Sequence, residues 1–92
     1  MIILKLDKSA KEKIINSYTT DIEKLEMYFL KSGDRKNSEI EKRTGIDRNT
    51  ISSIRKGKIR PSTANMTIFV SAYNIPSDIA GSIFFKPNLR NE

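Results

Sequence analysis

The chain has 92 residues, which is enough for one domain with a single small core. It contains no cysteine and no histidine, so disulfides, the usual zinc ligands and His-based acid–base catalysis lack their residues. No apolar run approaches the roughly 18 residues of a membrane span. We therefore expect a cytoplasmic protein without catalytic residues, bound metal, cofactor or membrane contact.

The formal net charge of +6 is concentrated in one stretch of the chain. Residues 35–60 contain nine basic and three acidic side chains, whereas the remaining residues contain eight of each. A chain that is otherwise balanced but has one strongly positive segment is expected to meet a negatively charged partner.

The N-terminal part of the chain predicts helices preceded by a short arm. Residues 1–6 form an apolar run broken by one lysine, which suits a short strand or a loose arm. Apolar residues recur at three- and four-residue steps across residues 10–29, which is typical of an amphipathic helix. Thr20 and Glu23 match a capping box, so we favour a second helix beginning at Asp21, with one long helix as the alternative.

The segment from residue 37 to residue 61 predicts two short helices joined by a tight turn. The first helix is expected over about 38–44, with Asn37 as its cap. Gly45 allows the left-handed backbone that such a turn needs. Asp47 is expected to cap the second helix over about 48–56.

The C-terminal part predicts two further helices and an apolar tail. Ser62 is expected to cap one helix that ends at Asn74, and a last short helix begins at Pro76. The segment Ile83–Phe85 is more apolar than a solvated tail should be. It could pair with Ile2–Leu4 as two short strands, or it could form the interface of a twofold dimer.

The basic segment resembles the helix-turn-helix domains of the Cro and phage-repressor type. The resemblance is carried by seven positions, namely Ile40, Gly45, Ile46, Ile51, Ile54, Gly57 and Pro61. It covers about residues 21–79 and implies an all-α, lambda-repressor-like bundle of about five helices, to which a short strand at each end could be added. We expect an N-terminal arm or extra helix over 1–20, the DNA-binding domain over 21–80, and a tail over 81–92 that could serve in dimerisation.

The resemblance and the helical pattern together identify candidate DNA contacts. Ile51 and Ile54 should face the core, which leaves the opposite face of their helix free to enter the major groove. Arg can grip guanine and Asn can grip adenine through paired hydrogen bonds. The candidate base contacts are Arg48, Asn49, Ser52 and Ser53. The candidate phosphate contacts are Asn37, Thr50, Arg55, Lys56, Lys58 and Arg60.

Two residues depart from the pattern of the family. Glu41 stands where a small residue is usual, so its side chain must bend outward or the two helices must cross more loosely. Arg55 stands where many members have a Glu that pairs with a basic residue of the first helix. We expect this reversal to remove the pair and to free Arg55 for a phosphate.

The resemblance implies a regulator of transcription. We expect a sequence-specific, double-stranded-DNA-binding repressor of Cro type, of phage or mobile-element origin, that acts as a homodimer by occupying its operator. The alternative is a helix-turn-helix module that binds a protein partner, as an antirepressor or antitoxin does. An enzyme is not expected, because the basic segment contains three dispersed acids and no nucleophile–base pair.

Overall fold

A computed structural model of the chain describes residues 18–88. In chain order the elements are β1 (Tyr18–Thr19), α1 (Ile22–Lys31), α2 (Asn37–Thr44), α3 (Arg48–Arg55), α4 (Thr63–Tyr73), α5 (Ser77–Phe84) and β2 (Lys86–Pro87). The expected all-α bundle of about five helices with a short strand at each end is therefore confirmed. The helix expected from residue 10 and the strand expected at Ile2–Leu4 lie outside the described residues.

The two short strands do not involve the C-terminal apolar segment. β1 pairs with β2 in antiparallel fashion, with Tyr18 opposite Pro87 and Thr19 opposite Lys86. The expectation that Ile83–Phe85 forms a strand is wrong, because α5 continues to Phe84. Its apolar side chains are needed in the core instead: Ile83 is 0% exposed and Phe84 is 2% exposed.

α1 begins one residue later than predicted and is capped by a different residue. The helix begins after Asp21, whose carboxylate accepts a hydrogen bond from the backbone N–H of Lys24 at 3.2 Å. The predicted capping box on Thr20 is wrong, and its hydroxyl is buried without a hydrogen-bond partner. The carboxylate of Asp21, one residue after Thr20, accepts the hydrogen bond from a free N–H group of the first helical turn instead.

The start of α2 also differs by one residue from the prediction. Asn37 is the first residue of the helix, and Lys36 takes the capping position. The Glu39 carboxylate accepts hydrogen bonds from the backbone N–H groups of Lys36 at 2.9 Å and Arg35 at 2.7 Å. These two bonds lower the pKa of Glu39. The N–H groups of Glu39 and Ile40, which an Asn37 cap would have accepted from, donate instead to the Lys36 carbonyl at 3.0 Å and 3.2 Å.

One apolar core joins all five helices. Its fully buried side chains come from every helix, and they are Leu25, Phe29, Ile40, Ile51, Ile54, Phe69, Ile83 and Phe84. The expected core positions Ile51 and Ile54 are confirmed. Ile40, Ile46 and Phe69 are buried in the same cluster, and Ile68 is partly buried against it. The helices that hold the turn are thus fixed to the body by aliphatic contacts on their inner faces.

A polar cluster, which we call the Asp34 anchor (the buried Asp34 and Tyr73 with the exposed Arg43), ties the α1–α2 loop to α2 and α4. Asp34 is 6% exposed and accepts hydrogen bonds from Arg43 Nε at 2.5 Å and from the Tyr73 hydroxyl at 2.7 Å. The Arg43 hydrogen bond, aided by that of Tyr73, lowers the pKa of Asp34. Burial, together with the bond to this carboxylate, raises the pKa of Tyr73. The anchor therefore holds an ionised Asp34 beside a neutral phenol.

Candidate nucleic-acid interface

The turn between α2 and α3 is built as the sequence predicts. Gly45 ends α2 with a left-handed backbone at φ 79°, a conformation that costs a residue with a Cβ atom about 1–2 kcal/mol. Thr44 donates a hydrogen bond to the Ile40 carbonyl at 2.7 Å and accepts one from the Ile46 N–H at 3.1 Å. Asp47 then caps α3 by accepting from two of its free N–H groups. This turn sets the position at which α3 leaves the body.

The outward face of α3 is defined by its two buried isoleucines. Ile51 and Ile54 are 0% exposed and point into the core. At about 100° per residue, the side chains opposite them are those of Asn49, Ser52, Ser53 and Lys56. We call these four residues the outward face of α3. Three of the four predicted base contacts lie on this face, and Arg48 lies on the flank beside α2.

Arg48 is held by an acid of the preceding helix. Its Nε donates to Glu41 Oε1 at 2.8 Å, and its Nη2 lies 2.8 Å from the same oxygen. The backbone N–H of Arg48 also donates to Glu41 Oε2 at 3.3 Å. Glu41 therefore bends outward, which was one of the two expectations for it, and it meets the first residue of α3.

Arg55 is held by an acid of α1. Its Nε and Nη2 donate to the two carboxylate oxygens of Glu26 at 2.6 Å and 2.7 Å. Its Nη1 donates to Asn37 Oδ1 at 2.8 Å and to the Arg35 carbonyl at 3.1 Å. The hydrogen bonds to Glu26 raise the pKa of Arg55. The expectation that an Arg at position 55 leaves no pair with the first helix is wrong, because Arg55 forms a bidentate ion pair with Glu26 of α1.

Arg60 is directed toward the C-terminal helix. Its Nη2 donates to the Phe84 carbonyl at 2.7 Å, and its guanidinium lies 5.3 Å from the centre of the Phe85 ring. Its Nε is buried without a hydrogen-bond partner. The structure thus places Arg55 and Arg60 in internal contacts, although both were predicted to meet phosphates.

The remaining predicted contacts lie around the outward face of α3. Lys56 and Lys58 are exposed just after the helix, and Asn49 is exposed in its first turn. Thr50, Ser52 and Ser53 are half-buried, as is Asn37 beside Arg55. Within the described part of the chain, six cations of the basic segment make no ion pair, namely Arg35, Lys36, Lys42, Lys56, Lys58 and Arg60. They supply most of the uncompensated positive charge near α3.

Sequence reasoning missed the two acids that organise this surface. Glu41 was noticed only as a departure from a small residue, and Glu26 was not singled out. Glu41 lies seven residues before Arg48 and Glu26 lies 29 residues before Arg55. A detectable signal existed for the second pair, because a reversed charge at Arg55 calls for a reversed charge on the first helix.

The described residues also bear on other kinds of site. Between residues 18 and 88, no group of acidic side chains comes together in a way that could hold a metal ion. The helices in this part of the chain are all too short or too polar to span a bilayer.

Comparison with known families agrees with the geometry. A family described as helix-turn-helix matches residues 27–79, more than half of the chain. The match covers the second half of α1, the whole of α2, α3 and α4, and the start of α5. No curated protein and no solved structure matches the chain.

Proposed function

The chain belongs to the Cro/C1-type helix-turn-helix family of DNA-binding regulators, and we propose that it is a sequence-specific transcriptional regulator that reads an operator through α3. The observation that carries this proposal is the outward face of α3, where Asn49 is exposed and makes no side-chain hydrogen bond within the described residues. An α-helix that presents polar side chains on one face, with lysines at its end, is suited to the major groove of B-DNA.

The proposed contacts divide into those that read bases and those that position the protein. Asn49, Ser52 and Ser53 on the outward face are the proposed base readers, with Arg48 beside them. Lys56 and Lys58 are the proposed phosphate contacts, because they are exposed and unpaired at the end of α3. Asn37 and Thr50 at the two helix N-termini could add phosphate contacts.

Arg55 and Arg60 have a different role in this proposal. The Arg55 side chain already donates four hydrogen bonds within the protein, and Arg60 donates one to a carbonyl of α5. Moving either guanidinium to a phosphate would leave Glu26 or the Phe84 carbonyl without its partner. We therefore propose that these arginines hold the DNA-reading helix in place and do not contact DNA directly.

We further propose that the regulator acts as a homodimer that represses by occupying its operator, in the manner of the small Cro-type proteins of phages and mobile elements. A single helix-turn-helix module contacts one half-site, and a twofold dimer places two modules about 34 Å apart. Ile83 and Phe84 are buried in the core of one chain and are not available for a partner. Phe85 is 50% exposed and borders an apolar depression with Met66 and Val70 between α4 and α5, which supports a dimer surface there.

The experiment that tests this proposal is a selection from a random pool of duplex DNA at about 150 mM salt, where non-specific binding is weak. We expect recovery of an inverted repeat, and sedimentation should give a dimer mass at high micromolar protein concentration. Recovery of no preferred sequence would contradict operator binding. A monomer that still selects one half-site would contradict the dimer alone.

Two variants separate reading from positioning on the selected site. Asn49→Ala should cost about 1–3 kcal/mol on that site and relax the preference at one base pair. Lys58→Ala should weaken binding to all duplexes about equally and should flatten the slope of log K against log salt by about 0.9. Indistinguishable behaviour of the two variants would contradict this division.

The apolar depression also favours the second candidate function, a module that binds a protein partner as antirepressors and antitoxins do. Glu41 and Arg55, the two departures from the family's pattern, lend this function no support, because both form ion pairs within the chain. A selection that yields no DNA sequence, combined with saturable binding of an apolar helical peptide that Phe85→Ala abolishes, would favour the protein-partner function.

A further inference from the structure

We propose that Glu41 is a specificity-determining residue: it positions the Arg48 guanidinium for contact with a base and withholds it from the phosphates. The inference rests on the proposed function, since it concerns how α3 distinguishes one DNA sequence from another. Glu41 belongs to α2, and it is not among the residues expected to contact DNA.

The geometry gives Glu41 a hold on both the backbone and the side chain of Arg48. Oε2 accepts from the backbone N–H at 3.3 Å, and Oε1 accepts from Nε at 2.8 Å. The Glu41 side chain is 31% exposed, whereas that of Arg48 is 60% exposed. The carboxylate is thus the better-fixed member of the pair, and the guanidinium projects from it into solvent at the flank of the outward face.

The pair changes what the arginine can bind. A guanidinium has five N–H donors in a planar fork, and the bonds to Glu41 occupy its Nε side. The Nη1 side stays free and points in a direction fixed by the carboxylate, so it can donate to the two acceptors of a guanine edge. An unrestrained arginine on a flank would instead pair with the nearest phosphate, for which its fork is equally well shaped.

The charge of Glu41 reinforces this selection. The pair is neutral as a whole, so Arg48 adds little to the attraction between the protein and any DNA sequence. A duplex without guanine at this position brings its phosphates near the carboxylate and does not gain the paired hydrogen bonds to O6 and N7 in return. Sequence discrimination by Arg48 therefore depends on Glu41, although Glu41 need not touch the DNA.

Glu41→Gln tests the inference, and Glu23→Gln is the matched control. Glu23 lies in the first turn of α1, and within the described residues its side chain has no ion pair or hydrogen bond. Both substitutions remove one negative charge, so any gain in DNA affinity that comes from net charge alone should be the same in the two variants. Binding is measured to the selected operator, to operators with single base pairs replaced, and to a random-sequence duplex.

We expect Glu41→Gln to lower the preference at one base pair by roughly tenfold, within the range of one bidentate base contact. Affinity for the random duplex should rise more than it does for Glu23→Gln, which should keep the full preference. Arg48→Ala should lose the preference at the same base pair, and adding Glu41→Gln to it should cause no further loss there.

Glu41→Asp separates position from charge, because the shorter side chain keeps its charge but no longer reaches both donors of Arg48. It should lose the base-pair preference as Glu41→Gln does, without the same gain on random duplex. Thermal unfolding of each variant checks that the fold is intact. The inference is overturned if both Glu41 variants keep the preference of the Glu23→Gln control, or lose it at a base pair that Arg48→Ala leaves unchanged. A protein that prefers no duplex sequence at all would overturn the proposed function, and this inference with it.

Discussion

Exchanging the charges of Glu26 and Arg55 tests how firmly the DNA-reading helix is fixed to the body. Arg55→Glu removes four donated hydrogen bonds and places a second carboxylate against Glu26 and beside the Asn37 amide oxygen. Breaking a buried ion pair costs about 3–5 kcal/mol. Because the two side chains are 21% and 31% exposed, we expect a smaller loss of about 2–3 kcal/mol in the free energy of unfolding.

The double variant Glu26→Arg/Arg55→Glu should recover most of that loss. It restores a bidentate pair between α1 and α3 with the opposite polarity, which is the polarity common in the family. It cannot restore the bonds from position 55 to Asn37 and to the Arg35 carbonyl, so we expect a residual loss of about 1 kcal/mol. The coupling free energy between the two substitutions should be at least about 1.5 kcal/mol.

Urea unfolding followed by circular dichroism measures these free energies for the parent, the two single variants and the double variant. For a domain of this size the Arg55→Glu loss corresponds to a fall of roughly 10–20 °C in melting temperature. Glu23→Arg/Arg55→Glu is the control, because it has the same net charge as the double variant but places the new arginine one helical turn before Glu26. The pairing would be refuted if the control recovered the lost free energy of unfolding. It would also be refuted if the loss in the double variant equalled the sum of the losses in the two single variants.

Two further predictions concern the turn and the Asp34 anchor. Gly45→Ala should lower the free energy of unfolding by about 1–2 kcal/mol, whereas Gly81→Ala should raise it by about 0.5–1 kcal/mol. Neither added Cβ meets an atom within 4 Å, so only the backbone conformation differs, and equal effects on urea unfolding would contradict this reasoning. Since the folded pKa of Asp34 is lowered, its contribution to stability is present above its ordinary pKa of about 4 and is lost as the pH falls through the folded value. Asp34→Asn should therefore cost about 1–2 kcal/mol at neutral pH and flatten the acid dependence of stability, and an unchanged acid dependence would argue against the anchor.

The arrangement of the central helices could be predicted because local signals agree there. Gly45, Asp47 and Ser62 each have a direct structural role in a turn or a cap, and all three act as the sequence predicts. The buried Ile51 and Ile54 follow from helical spacing alone. Where turn chemistry and apolar spacing point to the same boundary, the position of a helix follows within about one or two residues.

The end of the chain could not be predicted because apolar content does not say which surface it covers. Ile83 and Phe84 are suited equally to a strand, a dimer interface or a core helix. The core has room for them because α5 packs against α1 and α4, and the Phe84 ring stacks on Phe69 at 6.3 Å. Such packing depends on tertiary contacts that a single sequence does not reveal.

The sequence indicated which side chains around α3 are exposed, but not which of its arginines form ion pairs within the protein. Asn49 and Lys56 are exposed where the helical spacing expected them, and Lys58 is exposed in the segment that follows α3. Arg48 and Arg55 also belong to the basic segment, yet each is held by an acid whose distance along the chain gives no local signal. A count of charges therefore overstates how many arginines are free for DNA.

The most direct test of the central claim is an NMR titration of the isotope-labelled protein with the selected duplex, in which backbone amide shifts are followed residue by residue. If α3 reads the operator, the largest changes should fall on Asn49 to Lys58, with smaller ones at the start of α2. Changes concentrated on α5 and around Phe85, with α3 unaffected, would contradict the account.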